Sequence, residues 1–305
     1  MRVAVVDIGT NSTRLLVADV EGEGVRELDR RTTVTRLGEG LEASGRLSDD
    51  AMARVSDALA AYRERIDELG AERVVAVATS AMRDAANGPD FRADIEGRFG
   101  IDARTISGDE EARLTFLGAT AGRDADGAAL VIDIGGGSTE YVTGRPGADP
   151  DFHVSTQMGS VRHTERHLHT DPPTAAELSA LGEDARATVE ADVPAQLRER
   201  VESGIAVAGT ATSLAAIDQE LDPYDPDKVH GYRLSLGSCE RLVAKLGDLT
   251  VAQRRELTGL HPDRAPSIVA GAGILLESMR AFGLAEIEIS ETDILHGAAL
   301  TAALK

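Results

Sequence analysis

Several residue types and patterns that define common protein classes are scarce or missing in this chain. It has a single cysteine, Cys239, which excludes an internal disulfide and fits a reducing, cytoplasmic setting. No apolar run reaches the length of a membrane span. The longest candidate, Ser267 to Met279, is short and rich in Gly and Ala, and reads as a packed core helix. Met1 to Val6 is broken by Asp7 and carries no signal-peptide pattern. Lysine occurs only at Lys228, Lys245 and Lys305, and the net charge is −20. So acidic a surface repels nucleic acid and does not favour membrane adsorption, so neither is expected as a partner. Low lysine with high acid suits a salt-rich interior, and a GC-rich genome would also exchange lysine for arginine. The Gly-x-Gly-x-x-Gly fingerprint and the Gly-Lys-Ser/Thr loop are both absent.

What is present is a repeat. Val5-Val6-Asp7-Ile8-Gly9-Thr10-Asn11-Ser12-Thr13 is echoed by Val131-Ile132-Asp133-Ile134-Gly135-Gly136-Gly137-Ser138-Thr139. Each copy is an apolar β run, an Asp, a glycine-bearing turn with hydroxyls, and a second β run (Arg14 to Val20; Glu140 to Thr143) rather than a helix. Such turns can aim backbone N–H groups at phosphate oxygens, and Asp7 and Asp133 can reach a metal or its water shell. The copies differ after the turn: Arg14 in the first, a cation suited to phosphate, and Glu140 in the second, a carboxylate suited to metal or water.

At 305 residues and 42% hydrophobic content, two globular domains are expected. After the first hairpin comes a β run from Val25 to Leu37. An amphipathic helix then starts at the N-cap Ser48 and stops at Gly70, with Met52, Val55, Leu59, Tyr62, Ile66 and Leu69 at helical spacing. Val74 to Ala78 reads as a buried strand leading into a short helix at Thr79-Ser80. Ile101 to Ile106 reads as a strand, and Ser107 caps a helix from Glu110 to Leu117. Gly122 to Gly127 is the expected boundary. The second half repeats the plan: the Val131 hairpin, a strand near Val154, a helix from Val161 to His167, a capping box at Thr174–Glu177, a strand from Ile205 feeding Gly209-Thr210, a second capping box at Thr250–Gln253, the Ser267 to Phe282 helix, a strand at Ile287 and a last helix from Ile294. Alternating strands and helices in two similar halves predict duplicated α/β domains around a central cleft.

The strand-to-helix junctions at Thr79-Ser80, Gly209-Thr210 and Ser290 would present free N–H groups to phosphate, although Ser290 reads better as a plain N-cap. Glu110-Glu111 opens a helix, where acids are favoured by the dipole, but a hydrolase needs a carboxylate here to orient and deprotonate water. Arg14, Arg83, Arg162, Arg166, Lys228 and Arg233 are candidates for a locally basic channel. His163-Thr164-Glu165-Arg166-His167 does not have the zincin order, so His163, His167 and nearby His169 read as a solvent-facing helix rather than a zinc site.

Taken together, these strings resemble the exopolyphosphatase / guanosine pentaphosphate phosphohydrolase (Ppx/GppA) family. The matching segments are Asp7 to Ser12, Ala78 to Arg83, Ile106 to Ala112, Ile132 to Glu140, Met158 to Arg162, Ala208 to Leu214, Val229 to Tyr232 and Ala270 to Ala272, in family order and spanning essentially the whole chain. The resemblance implies an α/β fold of two ribonuclease H-like domains, of the actin-like ATPase / sugar kinase superfamily. The first would comprise residues 1–122 with 292–305, the second 123–291. It implies Glu111 as catalytic base, Arg83 as phosphate-contacting arginine, and Asp133 and Glu140 as metal-associated acids, with Asp7 expected beside them. The phosphate cradle would be Gly9, Thr10, Asn11, Ser12, Arg14 and Ser80, with Gly135, Gly136, Gly137, Ser138, Gly209 and Thr210. The usual Ser after the first glycine is Thr10 here, which keeps the hydroxyl and adds a methyl. The chain stops before the C-terminal helical domain of long members, so a short two-domain form is expected. The implied activity is Mg²⁺- or Mn²⁺-dependent release of the terminal phosphate of inorganic polyphosphate by a cytoplasmic homodimer. Hydrolysis of guanosine pentaphosphate (pppGpp), phosphate transfer, or a non-enzymatic alarmone or polyphosphate sensor are the rival readings.

Overall fold

The computed structural model describes residues 1–22, 24–123 and 128–304. The expected boundary segment therefore lies outside the described residues from position 124 to 127. Two compact units emerge: Met1–Asp124 with Asp293–Lys305, and Ala125–Thr292.

Unit 1 is built on strands β1 (Arg2–Ile8), β2 (Ser12–Glu21), β3 (Gly24–Val34), β4 (Arg73–Ala78) and β5 (Ala103–Thr105), in the order β3-β2-β1-β4-β5. The first three form an antiparallel meander, and β4 and β5 add in parallel. Helices α1 (Leu41–Ser44), α2 (Asp49–Leu69), α3 (Ser80–Asp84), α4 (Gly88–Phe99) and α5 (Gly108–Thr120) complete this part of the chain. The amphipathic stretch forms as its sequence dictates. The Ser48 side chain accepts from the Ala51 amide, and Gly70 ends α2 at φ 64°. Val55, Leu59, Tyr62 and Ile66 of α2 are buried in a cluster that includes Val6, Leu15 and Val17. Helix α4 has no counterpart among the expected elements.

Unit 2 repeats the connections. Its strands are β6 (Ala129–Ile134), β7 (Thr139–Gly144), β8 (Phe152–Thr156), β9 (Gly204–Val207), β10 (Arg233–Ser235) and β11 (Glu286–Ile289), ordered β10-β11-β9-β6-β7-β8. Again a three-strand antiparallel meander (β6, β7, β8) is followed by parallel additions, β9 on β6 and β11 on β9; β10 extends the far edge antiparallel. The helices are α6 (Ser160–His167), α7 (Ala175–Asp192), α8 (Ala195–Arg198), α9 (Ala208–Asp218), α10 (Pro226–Val229), α11 (Leu236–Gly247), α12 (Val251–Arg255) and α13 (Ile268–Ala281). Both expected capping boxes form, at Thr174/Glu177 and Thr250/Gln253. Helix α13 is buried from Ile268 through Met279, as its Gly/Ala-rich, largely apolar sequence predicts.

The last helix, α14 (Ile294–Ala303), belongs to unit 1 and packs against α5 and the β1–β2 strands. Glycine makes this approach possible. A Cβ at Gly118 would overlap the Asp293 carbonyl, and one at Gly297 would overlap the Leu114 carbonyl. Close packing at this point fixes the N-cap Asp293 against the first hairpin, with a consequence for the site below. No helix among the described residues is long and apolar enough to cross a membrane.

Candidate active site

The two turns have the same backbone construction. In the first, the Gly9 amide donates to the Ser12 carbonyl at 3.0 Å; in the second, the Gly135 amide donates to the Ser138 carbonyl, also at 3.0 Å. Neighbouring segments then consume the turn carbonyls. Thr35 and Arg36 amides donate to the Asn11 carbonyl and the Gly38 amide to the Thr10 carbonyl. Likewise the Ser160 amide donates to the Gly135 carbonyl, and those of Val161 and Arg162 to the Gly136 carbonyl. Arg162 Nε adds a bond to the Gly137 carbonyl at 2.8 Å. Among the described residues, the amides of Thr10, Asn11, Gly136 and Gly137 donate to no backbone carbonyl. A turn whose carbonyls are occupied and whose N–H groups are left over is polarised towards anions.

In unit 1, the Thr10 and Ser80 hydroxyls are 2.7 Å apart and buried, which joins the turn to the junction after β4. The extra methyl of Thr10 has a structural cost. Its Cγ2 fills the place where a Cβ on Gly38 would stand, so residue 38 has room for glycine alone. Ser80 opens a five-residue helix whose N-cap, Thr79, makes no side-chain cap. Arg83, on the same helix, sends Nη1 to the Ile106 carbonyl at 2.9 Å and to Glu111 Oε2 at 3.3 Å. The two adjacent glutamates diverge. Glu110 is turned outward into a bidentate pair with Arg104, at 2.8 and 2.5 Å, whereas Glu111 is buried beside Arg83. Ser107 caps α5 through the Glu110 amide and fixes where the helix begins.

Asp7 and Arg14 are register partners on β1 and β2. Arg14 donates to Asp7 Oδ2 from Nε at 2.9 Å and Nη2 at 2.6 Å, and its Nη1 pairs with Asp293 Oδ2. The guanidinium, expected on phosphate, is turned here to two buried acids and holds the N-terminus of α14 to the hairpin. Burial raises the Asp7 carboxyl above its ordinary range despite Arg14. At Asp293 burial opposes ionisation too, but Arg14, Arg30 and His296 outweigh it and hold the carboxyl low. Asp7 Oδ1 is buried without a hydrogen-bond partner.

In unit 2 the equivalent register pair is Asp133 and Glu140, two buried carboxylates directly opposite on adjacent antiparallel strands. Glu140 Oε1 accepts from Ser155 Oγ at 2.6 Å. Like charges at such a position repel unless a cation or a proton stands with them. Two oxygen-donor carboxylates on one face are the donor set that suits a hard divalent ion.

The junction after β9 holds Gly209 and Thr210. Ala208 precedes them at φ 65°, a left-handed conformation rare for a residue with a Cβ and common where a site over-determines its backbone. A Cβ at Gly209 would overlap the Arg264 guanidinium, and one at Gly271 would crowd the Thr210 hydroxyl at 2.6 Å. Arg264 is a cation at this junction that sequence reasoning missed; its only signal is the glycine that makes room for it. Ser290 is not an N-cap, since Asp293 caps α14; its hydroxyl instead accepts from the Thr292 amide at 3.1 Å.

Other candidates for a basic channel are tied to acids: Arg166 to Asp184, Lys228 to Asp225 and Arg233 to Glu286. Cys239 is buried, and burial pushes its thiol up to about 12. The histidines depart from expectation. His163 is fully buried rather than solvent-facing, and burial pushes its imidazole down to about 4.

Comparison with known proteins agrees with this geometry. The profile of the Ppx/GppA phosphatase family matches residues 15–305. The chain is 40% identical over 321 aligned positions to exopolyphosphatase 2 of Mycobacterium tuberculosis, covering 99% of this chain and 98% of the relative. It superimposes on the Ppx/GppA family member of Aquifex aeolicus with a TM-score of 0.83 at 31% identity, over 100% of this chain and 98% of that one. On an exopolyphosphatase from Cytophaga hutchinsonii the TM-score is 0.89 at 26% identity, over 99% and 97%. The duplicated sheet topology is that of the actin-like ATPase fold. The chain belongs to the Ppx/GppA phosphatase family and is a phosphatase.

Proposed function

We propose that the chain is an exopolyphosphatase that removes the terminal phosphate of inorganic polyphosphate as orthophosphate. The observation that carries this reading is the paired turn: twice in the chain, carbonyls are occupied and amides are left for an anion. A phosphate-bearing substrate makes use of such a turn, and the relatives named exopolyphosphatase point to polyphosphate.

In this reading Glu111 is the general base. Its carboxylate, buried beside Arg83, would orient water and take its proton as the water attacks phosphorus, while Arg83 would meet the non-bridging oxygens of that phosphoryl group. The water oxygen bonds to the terminal phosphorus as the bridging P–O bond breaks. The departing chain keeps the bridging oxygen, and orthophosphate is released. Within each unit, donors to phosphate oxygens would come from its own turn and junction: Thr10, Asn11, Ser12 and Ser80 in unit 1, and Gly135 to Ser138 with Gly209 and Thr210 in unit 2. Phosphatases of this family generally work with a divalent metal. Asp133 and Glu140 would hold Mg²⁺ or Mn²⁺, which when bound neutralises charge on the phosphoryl oxygens.

Hydrolysis of pppGpp uses the same terminal-phosphate chemistry. Orthophosphate release from long-chain polyphosphate, tripolyphosphate and pppGpp, measured with Mg²⁺ at low and molar salt, ranks the two. Faster release from polyphosphate by kcat/KM is expected. Preference for pppGpp would assign the alternative, and transfer to a nucleotide acceptor without release would overturn hydrolysis altogether.

A further inference from the structure

The histidines of α6 form a cluster that the phosphatase reading does not use. His163 and His167 are one turn apart and on the same helical face, with ring centroids 5.3 Å apart. Helix α7 brings Asp184 to them. Asp184 Oδ2 lies 2.9 Å from His167 Nε2 and 3.3 Å from His163 Nε2. One potential ligand atom from each of the three residues falls within 4.8 Å of the other two. His163 is fully buried, and among the described residues neither of its ring nitrogens makes a hydrogen bond; the 3.3 Å approach to Asp184 lacks the geometry of one. A buried imidazole without a hydrogen bond is costly and uncommon, and it calls for a ligand.

We propose that His163, His167 and Asp184 form a metal site in unit 2 for a zinc-class divalent ion, separate from the Asp133–Glu140 pair. The distances suit it. Metal–ligand bonds of about 2.0–2.1 Å in a tetrahedron place ligand atoms about 3.3 Å apart. The observed approaches to Asp184 are near that edge length. Two imidazoles and one carboxylate favour zinc, cobalt or nickel, whereas magnesium prefers an all-oxygen shell. Asp184 is partly exposed, which gives an ion a way in, and the burial of His163 keeps its imidazole neutral and its lone pair available. Arg166, with Nη1 at 3.6 Å from Asp184, occupies the cation's place on that carboxylate, and its side chain is exposed enough to move aside.

The site has a reason to matter. Helix α6 starts where its Ser160, Val161 and Arg162 amides hold the Gly135 and Gly136 carbonyls, and Arg162 also holds Gly137. An ion joining α6 to α7 stiffens the support of the second turn without touching the reacting phosphate.

Co²⁺ titration of the chelator-stripped full chain, in excess Mg²⁺ and followed by visible absorption and metal content, tests this. One Co²⁺ per chain is expected, with the intense bands of four-coordinate cobalt, displaced by Zn²⁺. His167→Gln and Asp184→Asn should each weaken Co²⁺ binding by about tenfold or more, with the metal-free melting temperature unchanged. Zn²⁺ should raise the melting temperature of the wild type and not of these variants. Absence of bound Co²⁺ in excess Mg²⁺, or equal affinity in wild type and both variants, would overturn the site and leave the cluster a metal-free ion pair. Because the readouts are metal content, spectrum and melting temperature, the result is independent of whether polyphosphate is the substrate.

Discussion

The first hairpin pairs Asp7 with Arg14, and the second pairs Asp133 with Glu140. The turns between them share the same glycine-to-serine backbone bond, and both lend their carbonyls to neighbouring amides. One residue in the register therefore separates a hairpin with an Asp–Arg ion pair that also reaches Asp293 from a hairpin with two facing buried carboxylates. The two turns share one construction, and the position after the turn holds Arg14 in the first and Glu140 in the second; in the proposed reading the second is the place for a cation. Unit 1 adds a buried glutamate paired with an arginine, Glu111 with Arg83.

The largest effect is expected at that addition. Glu111→Gln should lower orthophosphate turnover by about 10²–10⁴-fold with substrate affinity retained, as measured by kcat and equilibrium binding. Glu110→Gln, on the exposed partner of Arg104, should stay close to wild type. Equal losses in the two would show that burial beside Arg83 does not select the base.

Stability separates the two hairpins next. Arg14→Gln leaves Asp7 and Asp293 buried without their cation and should cost about 3–5 kcal/mol in chemical denaturation. Glu140→Gln removes one of two facing like charges and should change metal-free stability by no more than about 1 kcal/mol. A large loss for Glu140→Gln in chelator would mean that the second hairpin, too, depends on an internal ion pair.

The smallest expected effect concerns the methyl that distinguishes Thr10 from serine. Gly38→Ala should destabilise, and Thr10→Ser should recover part of the loss, with a coupling of about 0.5–3 kcal/mol in a double-mutant cycle. Additive effects would show that the loop, rather than the methyl, sets the limit at residue 38.

Much of this was legible in the sequence because it is local. Caps at Ser48, Ser107, Thr174 and Thr250, the period of α2 and the two turn motifs all depend on residues a few positions apart. The choice of Glu111 rested on family resemblance, and the structure adds that Glu110 turns out to Arg104 while Glu111 is buried beside Arg83. What escaped is long-range. Arg14 reads as a phosphate cation until Asp293, 279 positions away, is brought to it by the Gly118–Gly297 contact. His163 lies in a polar string whose burial depends on α7 and α13 packing over α6. Helix α4 enters through Asn87-Gly88-Pro89, a string that also suits a loop, and β10 is only three residues long. Arg264 is invisible without the glycine it rests on.

Mn²⁺ binding by electron paramagnetic resonance, in wild type, Asp133→Asn, Glu140→Gln and Asp7→Asn, tests the difference between the hairpins most directly. The account predicts Mn²⁺ affinity weakened about 10–100-fold in Asp133→Asn and Glu140→Gln and changed less than about threefold in Asp7→Asn. Equal weakening in Asp7→Asn, or undiminished binding in the two second-hairpin variants, would contradict it.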